Sequence, residues 1–258
     1  MFNSGGSGPW DIAVTRSQPP HLVVVHNYSS SLTVLSLSNG HVVRTIRRIG
    51  NAQGQLHIPL GVCVCVDPQQ GHLWVADNDN NRIQVFDEQG YFVRQFPCIQ
   101  DPSSVAFLST GDIVVASLSD KRLHVYSPEG ALRRSFGAFG RPWQVAVVLT
   151  KGTENHLAVA DYYKKCIQFV SSTDGHVIRT LATESGPQGV VVTPDGYVLV
   201  VETGRDRVVV FSPQGEHVHQ WGSNGSAPGQ FYFPRSGALL PDGRVVIADS
   251  GNNRIQLF

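Results

Sequence analysis

The 258-residue chain is poor in helix formers: it has one methionine, and Lys and Glu together number only 10 beside 35 valines. Unbranched residues suit helices and β-branched ones suit strands, so this balance excludes a mainly helical protein. Cysteine is scarce and irregularly spaced, at positions 63, 65, 98 and 166, which supplies neither a disulfide framework nor a zinc framework. Cys63 and Cys65 share one strand face and read as small core residues. The segment Met1 to Trp10 lacks a basic stretch followed by an apolar one, so no secretory signal is expected. Reduced thiols in a cytoplasmic or nuclear setting follow as an expectation. No apolar run reaches membrane-spanning length, and no membrane contact is expected. Neither charge is in excess, with 20 basic and 20 acidic residues; polyanion binding driven by bulk charge is excluded, although a local basic patch is not. What is present, at 41% apolar residues, is ample for a globular core.

The apolar residues recur in units. Six prolines stand just before an apolar strand, Pro9, Pro59, Pro102, Pro142, Pro187 and Pro234, spaced by 50, 43, 40, 45 and 47 residues. In each unit a second strand ends at a polar position: His26, Asp77, Ser117, Asp161, Glu202 or Asp249. Six residues later comes Leu32, Ile83, Leu123, Ile167, Val208 or Ile255, and nine residues later Leu35, Phe86, Tyr126, Val170, Phe211 or Phe258. A turn follows, as in Ser212-Pro213-Gln214-Gly215, and then a fourth strand ending at Ile46, Phe96, Phe136, Leu181 or Trp221. Four short strands per unit and six units are the signature of an all-β, six-bladed β-propeller. The nearly all-apolar first strand fits the innermost position. The fourth carries Arg44, Arg94, Arg134, Arg179 and His219, as befits an outer edge.

The segments Val75-Ala76-Asp77-Asn78-Asp79-Asn80-Asn81-Arg82-Ile83-Gln84-Val85-Phe86 and Ile247 to Phe258, with its Asp249-Ser250-Gly251-Asn252-Asn253-Arg254, resemble NHL repeats. The closing Asn-Asn-Arg-Ile-Gln-Leu-Phe is similar to the end of the NHL domains in tripartite-motif and RING-type ubiquitin ligases and in related RNA-binding repressors. The blades are expected at about 9–46, 58–96, 101–136, 141–181, 186–221 and 232–258 plus 1–3, in a single domain over 1–258. The last unit stops at its third strand, so its fourth must come from the N-terminus, with Phe2 in the terminal apolar place. So short a clasp leads one to expect the C-terminal part of a longer protein or a short form with a weak closure.

Pairs formed by the repeated acid and the arginine five residues on, Asp77 with Arg82, Glu202 with Arg207 and Asp249 with Arg254, are expected to serve the fold. Blade one departs with His26 and Ser31, and blade four has Cys166 in the arginine's place; those loops are freer for other work. The ten histidines fall largely into repeat register, which spreads them round the ring and disfavours a metal site. No phosphate loop, nucleophile elbow or catalytic carboxylate pair occurs. Some NHL-like propellers, the peptide-amidating lyases, are enzymes with metal-binding His residues and a Tyr and an Arg near the axis. Those are secreted and disulfide-bonded, marks that this chain lacks, so no enzyme activity and no cofactor are expected.

Loops between second and third strands share a face with the connections between blades. There the sequence collects Arg47, Arg48, Lys121, Arg141, Tyr162, Tyr163, Lys164, Lys165, Arg205 and Arg235, with Trp10 and Trp143 just after blade-opening prolines. Interleaved cations and aromatics hold single-stranded RNA or grip peptide segments. Asp79, Asp101, Asp120, Glu184 and Asp206 dilute the charge and favour a protein. The resemblance implies the partner- or substrate-binding module of a ubiquitin-ligase-type protein, without a RING in this chain; an RNA-binding domain is the alternative.

Overall fold

A computed structural model describes residues 1–15, 17–64, 71–148 and 156–258; Cys65 lies outside them. The chain begins with a short strand, β1 (Phe2–Asn3). Blade one follows as β2 (Pro9–Val14), β3 (His21–His26), β4 (Ser31–Ser36) and β5 (Val42–Arg47). Blade two is β6 (Pro59–Val64), β7 (Leu73–Asp77), β8 (Arg82–Phe86) and β9 (Phe92–Pro97). Blade three is β10 (Pro102–Phe107), β11 (Ile113–Ser117), β12 (Arg122–Tyr126) and β13 (Leu132–Phe136). Blade four is β14 (Pro142–Val148), β15 (His156–Asp161), β16 (Cys166–Ser171) and β17 (Val177–Ala182). Blade five is β18 (Pro187–Val192), β19 (Val198–Glu202), β20 (Arg207–Phe211) and β21 (His217–Trp221). Blade six is β22 (Pro234–Leu239), β23 (Val245–Asp249) and β24 (Arg254–Leu257), completed by β1.

Five sheets are four-stranded antiparallel meanders in chain order and the sixth takes β1 as its fourth strand, so the six-bladed propeller expected from the repeat is the observed architecture. Every first strand opens on its proline, which needs no ladder donor there, and the first strands of successive blades pack on one another around the axis. The opening proline pairs with the residue that ends the second strand, as in Pro59 with Asp77 and Pro142 with Asp161. That register puts the blade openings and the loops between second and third strands on one face. The apolar side chains form six clusters, each shared by two adjacent blades; Leu32, Val34 and Ile46 of blade one, for example, pack with Leu56, Leu73 and Phe86 of blade two. No helix among the described residues is long and apolar enough to cross a membrane.

The fourth-strand arginines do more than guard an edge. Arg44 donates to the Glu88 carbonyl of the next blade at 2.7 Å, and Arg134 to that of Ser172 at 3.0 Å. Arg94 covers the Trp74 ring at 4.7 Å, and Arg179 the Phe169 ring at 4.1 Å.

The ring closes through β1, whose Phe2 pairs with Ile255 in the register by which Ile46 pairs with Leu32 and Phe96 with Ile83. Phe2 packs on Gly40, in the turn between β4 and β5, where a Cβ would stand 2.1 Å from its ring and φ is +71°. Gly90, Gly130, Gly175 and Gly215 meet Ile46, Phe96, Phe136 and Leu181 in the same way. Phe2→Ala removes an aromatic that joins the two ends of the ring. It should lower the stability by about 2 kcal/mol, read as a shift of the urea midpoint.

Candidate recognition face

The loops between second and third strands share one backbone. The fourth residue after the repeated acid is left-handed in all six: Ser30, Asn81, Lys121, Lys165, Asp206 and Asn253 have φ between 44° and 61°. Asparagine accepts this region readily and lysine less so. In blade two the loop is held from beneath by Asp77, whose buried carboxylate accepts from Arg82 Nε at 2.7 Å, Gln84 at 2.9 Å, Asn80 at 2.9 Å and the His57 amide at 2.7 Å. Arg82 goes on to donate to the Asn51, Ala52 and Gln55 carbonyls of the long connector from blade one. Blade six repeats the device with Asp249, Arg254, Gln256 and Asn252, and Arg254 caps the Ser226, Ala227 and Gln230 carbonyls. Blades two and six are the two entered by long connectors, and their arginines hold those connectors shut. In blade five Glu202 meets Arg207 at 2.6 Å, and Arg207 reaches Glu184 at 2.8 Å.

Blade one lacks this set. His26 occupies the place of Asp77 and Thr33 that of Gln84, and both are fully buried. Among the described residues neither ring nitrogen of His26, nor Thr33 Oγ1, closes a hydrogen bond of normal geometry, and the nearest approach to His26 is the backbone of Ser4. Burial beneath the strap Ser4 to Gly6 drives the His26 pKa down to about 4, with the backbone of Ser4 acting weakly in the other direction.

At the mouth of the axis the residues just after the opening prolines converge. Trp10, Asp11, Leu60, Ser103, Trp143, Gln144, Gln188, Arg235 and Ser236 line a small cavity there. Asp11 is part of the framework: its carboxylate accepts from Ser236 Oγ, Gln144 Nε2 at 3.1 Å, the Val62 amide at 3.0 Å and the Ile12 amide at 2.9 Å. Gln144 accepts from the Val190 amide at 2.7 Å. This web ties blades one, two, four, five and six. Burial raises the Asp11 pKa to about 6, and its hydrogen bonds with Ser236, Val62 and Ile12 pull against that rise.

Above this floor the side chains form one continuous series. Arg235 lies over the Trp10 ring at 4.1 Å, Trp10 and Trp143 stand 5.7 Å apart at 52°, and Arg141 lies over Trp143 at 4.8 Å. Arg141 also reaches Tyr163, its Nη1 donating to the phenol oxygen at 3.1 Å, and Tyr163 meets Tyr162 at 5.6 Å. Tyr162 rests on Gly186 of blade five, where a Cβ would sit 2.6 Å from its ring. A groove of about 390 Å³ runs outward between blades three and four, lined by Asp101, Lys121, Arg141 and Tyr163 among others.

Of the residues singled out in the sequence, the structure thus brings Trp10, Arg141, Trp143, Tyr162, Tyr163 and Arg235 into one series, with Lys121 on the groove beside it. Lys164 folds back on its own loop, donating to the Ala138 carbonyl and standing 3.9 Å from Asp161. Arg205 is paired with Glu184 at 3.1 Å. Lys165 is exposed in its left-handed position. Arg47 and Arg48 are exposed at the end of β5, and among the described residues no hydrogen bond, ion pair or ring contact joins either side chain to the series. Sequence reasoning missed Gln188, which accepts from Arg235, and Tyr28, which flanks that guanidinium together with Tyr162. The signal was there: Gln188 follows an opening proline, and Tyr28 stands two residues after His26 as Tyr163 stands two after Asp161. Among the described residues no three His, Cys, Asp or Glu side chains group so as to hold a metal.

The NHL repeat model matches residues 59–86 and 231–258. The protein brain tumor of Drosophila melanogaster is 30% identical over 149 residues, covering 53% of this chain and 14% of that protein. Peptidylglycine alpha-amidating monooxygenase of Rattus norvegicus is 44% identical over 79 residues, 28% of this chain and 8% of that one. The E3 ubiquitin-protein ligase NHLRC1 of Homo sapiens is 33% identical over 84 residues, 32% of this chain and 21% of that one. The matched stretches thus span less than a quarter of any of these three relatives. Virginiamycin B lyase from Staphylococcus aureus shares the fold, with a TM-score of 0.67 at 16% identity over 98% of this chain and 84% of that one. Two of the six blades, over residues 59–86 and 231–258, are thus NHL repeats, set in a six-bladed β-propeller whose other blades keep the same register.

Proposed function

We propose that residues 1–258 form one non-catalytic recognition domain that binds a protein partner through the face carrying Trp10, Trp143 and Tyr163. The observation that carries this reading is the unbroken series from Arg235 through the two tryptophans and Arg141 to Tyr163 and Tyr162. Trp, Tyr and Arg are the residue types that dominate binding energy at protein interfaces. Asp11, the carboxylate of the mouth, is saturated by framework donors, so that cavity offers no acid–base pair. Lys164 and Arg205 each stand beside an acid, which lowers the positive charge that the face offers a polyanion. The likeness to a ubiquitin ligase supports a substrate- or adaptor-binding role within a larger ligase-type protein, in a cytoplasmic or nuclear setting.

Single-stranded RNA is the second reading, on the strength of the exposed Tyr163 beside Lys164 and Lys165. Affinity capture with the native chain and with a Trp10→Ala, Trp143→Ala, Tyr163→Ala triple variant separates the two. Protein retained after ribonuclease treatment and lost with the triple variant is the expected result. Retention abolished by ribonuclease and by moderate salt would replace this reading with RNA.

A further inference from the structure

The chemistry of the ligand can be read from the charges that the face leaves unmatched, taking the proposed recognition face as given. Arg82, Arg133, Arg205, Arg207, Arg244 and Arg254 each meet a carboxylate. Arg235 and Arg141 do not: among the described residues neither guanidinium has an acidic partner. Arg235 donates to the Gln188 amide oxygen, and its Nε is buried with no acceptor. Trp143 Nε1, in the same wall, is also buried without an acceptor. Among the described residues Arg141 donates only to the Tyr163 phenol. The acid within the cavity cannot serve, because Asp11 already takes four donors of the framework.

A largely buried cation with no counter-charge costs stability unless something neutralises it. Here Arg235, the Trp143 indole and Arg141 lie in one series at the mouth of the axis, whereas Arg47 and Arg48 stand exposed at the end of β5. We propose that this wall is a receptor for the carboxylates of an acidic segment of a protein partner, Arg235 taking one at the axial mouth and Arg141 another at the head of the groove between blades three and four. Lys121 lines the same groove and adds a third cation to its wall. Asp101 lines the same groove and accepts from Ser119, so the acidic segment would lie on the Lys121 and Arg141 lining and clear of this carboxylate. Burial, partly offset by the Tyr28 and Tyr162 phenols, weakens the Arg235 guanidinium's preference for its charge, as expected of a cation lacking its anion. Nucleic acid fits less well. The tryptophan faces that would stack on bases are already covered, by Arg235 on Trp10, by Arg141 on Trp143, and by each ring on the other.

The test uses the full chain against immobilised, end-capped peptides randomised around a fixed Glu, beside twins with Gln in its place. Glu peptides should bind and Gln twins should not. Arg235→Met and Arg141→Gln should each weaken the Glu peptides roughly tenfold or more, the loss expected for a charge-assisted pair. Arg235→Met should also leave the melting temperature unchanged or raise it, since the variant removes an unpaired cation and keeps its volume. A lower melting temperature with Glu-peptide binding intact would make Arg235 structural and overturn the proposal. Equal binding of Glu and Gln twins, lost in Trp10→Ala, Trp143→Ala, would keep the recognition face and discard the carboxylate chemistry. Absence of any peptide binding, with salt-sensitive retention of oligouridine, would discard both.

Discussion

Asp77→Ala is expected to cost about 3–5 kcal/mol, a large share of the stability of a single domain. The carboxylate is fully buried, and its removal strands the largely buried Arg82 guanidinium as a cation without a partner. The His57 amide loses its acceptor at the same time, and Gln84 and Asn80 each lose one of two. Because Arg82 also caps three carbonyls of the connector from blade one, the damage should spread into that connector. The control lies at the equivalent place in blade three, where Ser117 hydroxyl donates to the Gln100 carbonyl at 2.7 Å and no buried arginine depends on it. Ser117→Ala should cost only about 1 kcal/mol. Urea unfolding of both variants decides: equal losses would mean that the ion pair adds nothing beyond its hydrogen bonds.

Two buried groups give the ring a pH dependence that conceals itself. His26 has its pKa lowered from 6.5 to about 4. Its neutral form belongs to the folded state, so its contribution is whole above pH 6.5 and is lost as the pH falls towards 4. Asp11 has its pKa raised from 3.8 to about 6. Its protonated form is the one that folding favours, so stability is gained as the pH falls through 6 towards 3.8. At 1.36 kcal/mol for each pKa unit, both effects come to about 3 kcal/mol, with opposite signs over nearly the same interval. Between pH 6 and 4 the two largely cancel. Single substitutions separate them. Measured as the difference from the parent at each pH, His26→Asn should gain about 3 kcal/mol on acidification over this interval, and Asp11→Asn should lose about as much. A difference that stays flat from pH 6.5 to 4 in either variant would show that the group it replaces does not titrate as its burial implies.

The blades were legible in the sequence because a propeller writes its period into positions that must stay apolar or must turn. Proline at each opening and the aliphatic residue six positions after the end of the second strand survive in six copies, and the acid at that strand end in four. Even the clasp could be read, since Phe2 lies the right distance before Pro9 to stand where Ile46 and Phe96 stand. The candidate site was legible only in part. Trp10 and Trp143 were conspicuous by type, but their meeting depends on blades one and four facing each other across the axis, which a linear spacing does not display. Charge misled in the opposite direction. Lys164 and Arg205 look as free in the sequence as Arg141, and only the folded loops show that the first two are answered by neighbours and the last is not. His26 is a gap in the repeat, and a gap says that the usual acid is missing without saying that nothing replaces its bonds.

That gap lies between the two most fully bonded parts of the ring. Blade one is flanked by blades six and two, the blades in which an arginine cross-links a long connector to a buried carboxylate. Among the described residues, blade one leaves the His26 ring and the Thr33 hydroxyl without hydrogen bonds beneath a strap of small residues. Cooperative strength is therefore distributed unevenly, with a soft sector held between two stiff ones. Partial opening of the ring is least costly at this sector, because fewer native bonds are broken there and the flanking blades stay intact. Trp10 belongs to that sector. The recognition face is thereby hinged on its least rigid blade, and a ligand that bridges Trp10 and Trp143 would stiffen the ring as a whole by spanning its weakest part.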